Sequence, residues 1–193
     1  MMSRYRFALR PRWIVSHIFV GAMVILMINL GFWQLSRLDQ RQERNADVRV
    51  RTAEPVVDGA TLVVPGSYDE VEALEFRQVS VEGTYLADDE VIVRARSRDG
   101  APGSWVLTPL DLGDGTAVVV NRGWIPNSGQ LTAVPDDARA PQGTVAVTGL
   151  VRQSESRGNF GSTDPAEGTL TDLARADVER LDQQVDADLL PYY

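Results

Sequence analysis

The longest apolar stretch of the chain runs from Trp13 to Ser36, 24 residues without a charge (WIVSHIFVGAMVILMINLGFWQLS). As a helix rising about 1.5 Å per residue it would reach roughly 36 Å, enough to cross a bilayer. Trp13 and Trp33 stand twenty residues apart, so both indoles can sit at the two interfaces of one hydrocarbon layer. A cleaved signal peptide is the competing reading, but the run is too long for one and no small-x-small site follows it before Arg37. Residues 13–36 therefore read as a transmembrane helix behind a basic tail at 1–12. The following QLSRLDQRQERNADVRVR contains neither Gly nor Pro, so the helix should continue as a polar stalk over 37–54 and end at Pro55.

Beyond the stalk, Pro55–Tyr68 reads as a connector with at most one short strand, and Asp69–Glu75 as a short helix. From Arg77 the pattern changes to period two, which predicts strands at about 77–86, 90–96, 104–112, 116–124 and 143–151. Ala87-Asp88-Asp89 and Gly113-Asp114-Gly115 are short enough to close antiparallel hairpins, and Arg98–Gly103 gives a wider loop. Residues 125–142 form a Pro-rich loop, and Thr171–Val185 predicts one helix with apolar Leu173, Ala176, Val178, Leu181 and Val185. The expected architecture is a membrane-anchored α+β chain. Its 55–193 domain is a β-rich antiparallel meander with a C-terminal helix, curled into a barrel or sandwich because too few helices are available to cover a sheet.

Charge sharpens this picture. Residues 1–51 hold nine Arg against Asp39, Glu43 and Asp47, net +6, while the rest hold ten Arg against 24 acids, net −14. So acidic a domain repels phosphate backbones, which argues against nucleic acid, whereas the basic end suits anionic headgroups of a lipid bilayer. Arg4, Arg6, Arg10 and Arg12 precede the helix without acids, and Arg37, Arg41, Arg44, Arg49 and Arg51 precede a domain long enough to be translocated whatever its flanks. The expected topology is N-terminus in the cytoplasm and domain outside. All 19 basic residues are Arg, a usage that fits a GC-rich bacterial genome and hence the plasma membrane of a bacterium.

Chemistry is sparse. With no cysteine, disulfides, thiolate metal sites, covalent haem and a cysteine nucleophile are excluded, and with His17 the one histidine, the domain holds no imidazole for a triad or metal site. An enzyme is not expected. Asp69-Glu70 and Asp88-Asp89-Glu90 fall in predicted turns, where acids are ordinarily solvated. On the membrane helix, His17, Gly21, Val24, Ile28 and Gly31 share one stripe, a face for a partner helix, while Asn29 lies elsewhere as interhelical glue. An ionisable group in a span is a functional candidate, so His17 is also weighed as a haem ligand, against the plainer reading that it bonds a neighbour. Arg94, Arg96 and Arg98 alternate on a predicted strand face, either an anion-holding row or a solvated surface. Arg122, between an apolar run and Gly123-Trp124, needs a partner or an aromatic face, as a structural tie before a ligand site.

Several segments together resemble the Surfeit locus protein 1 family. They are Gly31-Phe32-Trp33-Gln34-Leu35-Ser36-Arg37, Val81-Glu82-Gly83-Thr84-Tyr85, Thr108-Pro109-Leu110, and Asn121-Arg122-Gly123-Trp124-Ile125-Pro126. Gly149-Leu150 with Glu155 and Asn159-Phe160 is similar to the segment that follows in that family, so the likeness spans residues 29–165. The resemblance implies an assembly factor for haem-copper cytochrome c oxidase that aids insertion or stabilisation of haem a, a transient cargo. It implies contacts with oxidase subunits, and a permanent accessory subunit of an oxidase or respiratory supercomplex is the alternative. The family also has a second membrane helix carrying its proposed haem histidine. That helix would fall beyond Tyr193, so the site is carried over to no residue here.

Overall fold

In the computed structural model, residues 10–127, 134–156 and 161–193 are described; Arg4, Arg6, Asn159 and Phe160 lie outside them. By its internal contacts the chain divides into two compact units, Met1–Val50 and Arg51–Tyr193. A single α-helix, α1 (Pro11–Ala53), contains both the apolar run and the stalk in 43 residues. It is the one helix among the described residues long and apolar enough to cross a membrane. None of its residues is buried in the protein. Its last turn belongs to the second unit, where Arg51 donates to the carbonyls of Glu72 and Glu75 at 3.3 and 3.0 Å and Gln78 donates to that of Thr52.

The sheet domain contains β1 (Val57–Asp58), α2 (Val71–Leu74), β2 (Gln78–Tyr85), β3 (Val91–Val93), β4 (Gly103–Asp111), β5 (Thr116–Pro126), β6 (Thr144–Leu150), β7 (Asp172–Leu173), α3 (Val178–Asp182) and β8 (Asp188–Leu189). The strands form one mixed sheet, neither a closed barrel nor a simple meander. The β3–β4 and β4–β5 pairs are antiparallel neighbours as the pattern predicts. The hairpin expected at Ala87-Asp88-Asp89 does not form. Those residues make one 3-10 turn, too little to reverse the chain, so β2 and β3 continue in one direction as a kinked strand. Its first half pairs with β6 along Gln78–Thr84, and its second half lies on the β4 edge. Consequently β6 crosses to β2 instead of pairing with β5.

Three parallel additions also depart from the expectation: β1 on β2, β7 on β3 and β8 on β5. β7 replaces the first turn of the helix expected at Thr171–Val185. The Ile92 and Arg94 amides find the Thr171 and Leu173 carbonyls at 3.0 and 2.9 Å, bonds a helix there would leave unmade. Only five residues remain helical, started by Asp177, whose carboxylate caps the Arg180 amide.

Two cores lie on either side of this sheet. One gathers Val91, Val93, Leu107 and Val119 beneath Leu173, Val178 and Leu181 of the C-terminal segment. The other gathers Val79, Val81, Leu110 and Val118 beneath Val63, Val71 and Tyr192. Val118 and Val119 are neighbours in sequence and belong to opposite cores, because β5 is covered on both faces. Tyr192 donates from its hydroxyl to the Gly59 carbonyl at 2.8 Å. Burial, with Asp58 nearby, keeps that phenol protonated well above the usual tyrosine range.

Candidate functional site

The family-like motif residues of the sheet domain converge where β2, β4 and β5 meet. Opposite Val106 and Leu107 the β5 partners are Gly123 and Asn121, so Arg122 is the extra residue of a β-bulge. A bulge re-aims the side chain it carries. Arg122 thereby turns inward: Nε donates to Thr108 Oγ1 and an NH1 proton to the Ala138 carbonyl, both at 2.8 Å. Its NH2 pairs with Glu90 Oε2, which also accepts from Thr108 Oγ1 at 2.6 Å. The side chains of Arg122 and Glu90 are only 11% and 12% exposed, and the guanidinium stands 5.7 Å from the Tyr85 ring. Glu90 is thus no solvated turn acid. It is the counter-charge that lets Arg122 be buried.

The other motif positions of the sheet domain serve the same junction. Asn121 Oδ1 accepts from the Gly123 amide at 3.1 Å, and Gly123 has φ +130°, which a side chain would strain. Trp124 donates its indole N–H to the Arg96 carbonyl at 2.7 Å and lies against Gly103, where a Cβ would overlap its ring. Gly83 has no room for a side chain because the Asp111 carbonyl passes close beside it. Pro109 gives its carbonyl to the Leu86 amide at 2.9 Å, so its missing N–H faces the 87–89 kink, where no ladder bond is lost.

A second polar cluster ties the C-terminal segment to the sheet. β3 ends at Val93 and Ala95 takes φ +58°, so Arg94, Arg96 and Arg98 do not form the expected row on one face. Arg94 pairs with Asp164 and Asp172, both at 2.8 Å, and exposed Arg98 lies near Asp99. Arg96 lies 4.1 Å over the Trp105 ring and pairs with Glu155, which also accepts from the Ala176 amide. Partial burial pushes the Glu155 carboxyl up, but the hydrogen bonds from Arg96 and Ala176 and the Arg96 charge outweigh it and hold it below its ordinary value.

On α1 the predicted stripe of His17, Gly21, Val24, Ile28 and Gly31 remains a surface, with nothing among the described residues within 4 Å of a Cβ added at either glycine. Trp33, Gln34 and Arg37 lie further along the same helix. His17 Nδ1 donates to the Trp13 carbonyl one turn back, and Asn29 donates to that of Ile25 at 2.8 Å. Among the described residues, no group of three His, Cys, Asp or Glu side chains is placed to hold a metal ion. Sequence reasoning missed Glu90 and Tyr85 as the partners of Arg122, though it required a partner of that kind.

A family model described as the SURF1 family matches residues 21–193. The chain belongs to the SURF1 family. It is 33% identical over 156 residues to an uncharacterized SURF1-like protein of Mycobacterium tuberculosis, covering 80% of this chain and 56% of that protein. It is 31% identical over 151 residues to the cytochrome oxidase assembly protein SHY1 of Saccharomyces cerevisiae, covering 72% of this chain and 36% of that one. A SURF1-like protein of Dictyostelium discoideum is 30% identical over 104 residues, 52% of this chain and 38% of that one. The chain spans about half the length of the mycobacterial relatives it matches. The SURF1 match extends beyond the motif-bearing 29–165 in both directions and takes in the whole C-terminal segment.

Proposed function

We propose that this chain is a membrane-tethered assembly factor for a haem-copper cytochrome oxidase, acting by binding and not by catalysis. The observation that carries the reading is membership of the SURF1 family together with the likeness to a yeast protein named for cytochrome oxidase assembly. The geometry supports it, because the polar residues of the family-like motifs are spent on each other and on backbone groups at the β2–β4–β5 junction. What remains for a partner is surface, above all the apolar flanks of α1. In this reading α1 crosses a bacterial plasma membrane with the N-terminus in the cytoplasm and the sheet domain outside. The mycobacterial relatives and the all-Arg usage support the bacterial setting.

Haem a is the cargo in this proposal. No ligand residue is assigned to it here: the His17 Nδ1–H is engaged by the Trp13 carbonyl one turn back, the plainer of its two readings. Oxidase subunits dock on the stripe through Gly21 and Gly31, where small residues let two helices approach. Gly21→Leu with Gly31→Leu adds bulk where the described residues place nothing within 4 Å, so the sheet domain stays folded. The double variant is expected to lower haem a content in difference spectra of membranes and to lose co-purifying oxidase. Normal spectra together with undiminished co-purification would remove the helix-face mechanism.

A further inference from the structure

Arg37 and Arg41 are the first basic residues after the apolar run, and with Trp33 one turn earlier they lie on one flank of α1. The side chains of Trp33, Gln34, Arg37, Gln40 and Arg41 are all exposed along this part of the helix. Among the described residues neither guanidinium has a carboxylate partner; Arg37 only donates to Gln40 Oε1 at 3.2 Å. At about 1.5 Å per residue Arg41 stands roughly 6 Å beyond Arg37. The headgroup layer is about 5–8 Å thick on each side of the hydrocarbon, so both charges remain within it. Arg44 is roughly 10 Å past Arg37 and already at its outer edge. Asp39 and Glu43 project from another side of the helix, so no acid interrupts this flank.

We infer that Trp33, Gln34, Arg37 and Arg41 form a binding site for the phosphate of an anionic phospholipid at the stalk end of the membrane span. The indole settles among the glycerol esters, the two guanidiniums take the phosphate, and the Gln34 amide adds a donor. The site is independent of the oxidase reading and rests on α1 spanning a bilayer. Choline-headed lipid is bound less well because its own cation offsets the phosphate charge.

The test uses the full chain in nanodiscs of phosphatidylcholine with one part in five phosphatidylglycerol, at physiological ionic strength. Lipid retained on release into detergent is counted by native mass spectrometry. The parent is expected to keep phosphatidylglycerol, and Arg37→Gln with Arg41→Gln to keep about thirtyfold less, from two lost basic contacts at an anionic surface. Arg98→Gln, an exposed change in the sheet domain, is expected to match the parent. Equal retention by the double variant would overturn the site. So would equal adduct formation with inorganic phosphate alone, or unchanged lipid retention alongside lost oxidase co-purification, which would make the flank a protein contact. Release of the chain from native membranes by alkaline carbonate would overturn the anchor itself, a failure separate from that of the lipid site.

Discussion

Breaking the Arg122–Glu90 pair from one side strands a carboxylate that is nine-tenths covered. Arg122→Leu is expected to cost about 3–5 kcal/mol, the usual effect of leaving one buried charge unpaired. Adding Glu90→Leu should recover a large part of that loss, since the penalty lies in the orphaned charge and not in the missing attraction. Urea unfolding of the single and double variants checks this; a double variant no better than Arg122→Leu would refute it. Glu155 makes a different prediction, in pH. Its carboxyl is held below its ordinary value in the folded state, so its contribution is present above the unfolded value of about 4.5 and fades as pH falls through the folded one. The stability gap between the parent and Glu155→Gln should therefore be widest near neutrality and close in acid. Thermal unfolding at neutral pH and near pH 3 reads it directly, and a gap that persists in acid would contradict it.

At the scale of elements, periodicity located the strands well and their neighbours poorly. The β4–β5 hairpin was legible because Gly113 and Gly115 both have positive φ, conformations that glycine advertises in a sequence. Ala87-Asp88-Asp89 carries turn residues too, but nothing in the letters distinguishes a reversal from one 3-10 turn that keeps the chain going. The difference was decided by distant strands: β4 offers the Pro109 carbonyl to Leu86, and β6 takes Gln78–Thr84 of β2. Likewise Leu173, Ala176, Val178, Leu181 and Val185 are buried as expected, yet most of that stretch is not helix, because the edge of β3 competes for its backbone. Of the candidate site, the need of Arg122 for a partner was readable, whereas the bulge that aims it and the acid that meets it belong to tertiary register. Burial on both faces of β5 has its own consequence: Val119→Asp should cost several kcal/mol, with no face to which the charge can escape. Val145→Asp, on half-buried β6, should cost much less. Equal midpoints in denaturant would mean that β5 is not covered on both sides.

For the molecule as a whole, the last six residues are structural. Asp188 and Leu189 pair with the start of β5, Tyr193 exchanges backbone bonds with Arg152, and Tyr192 reaches back across 133 positions to Gly59. Residues 188–193 therefore close the sheet domain. Contacts between residues so far apart form late and slowly, because a long loop must be closed before any bond repays it. During synthesis, the second core lacks its Leu190 and Tyr192 until those residues have left the ribosome, even though Val63 and Val71 were made long before. The apolar run at the other end is complete first. In the membrane-tethered reading proposed above, the chain is held at the membrane while its sheet is still open and its strand edges unpaired, an interval in which chaperones and proteases have their best access. Removing residues 188–193 should extend that interval without limit and leave a species that pulse-chase labelling finds degraded.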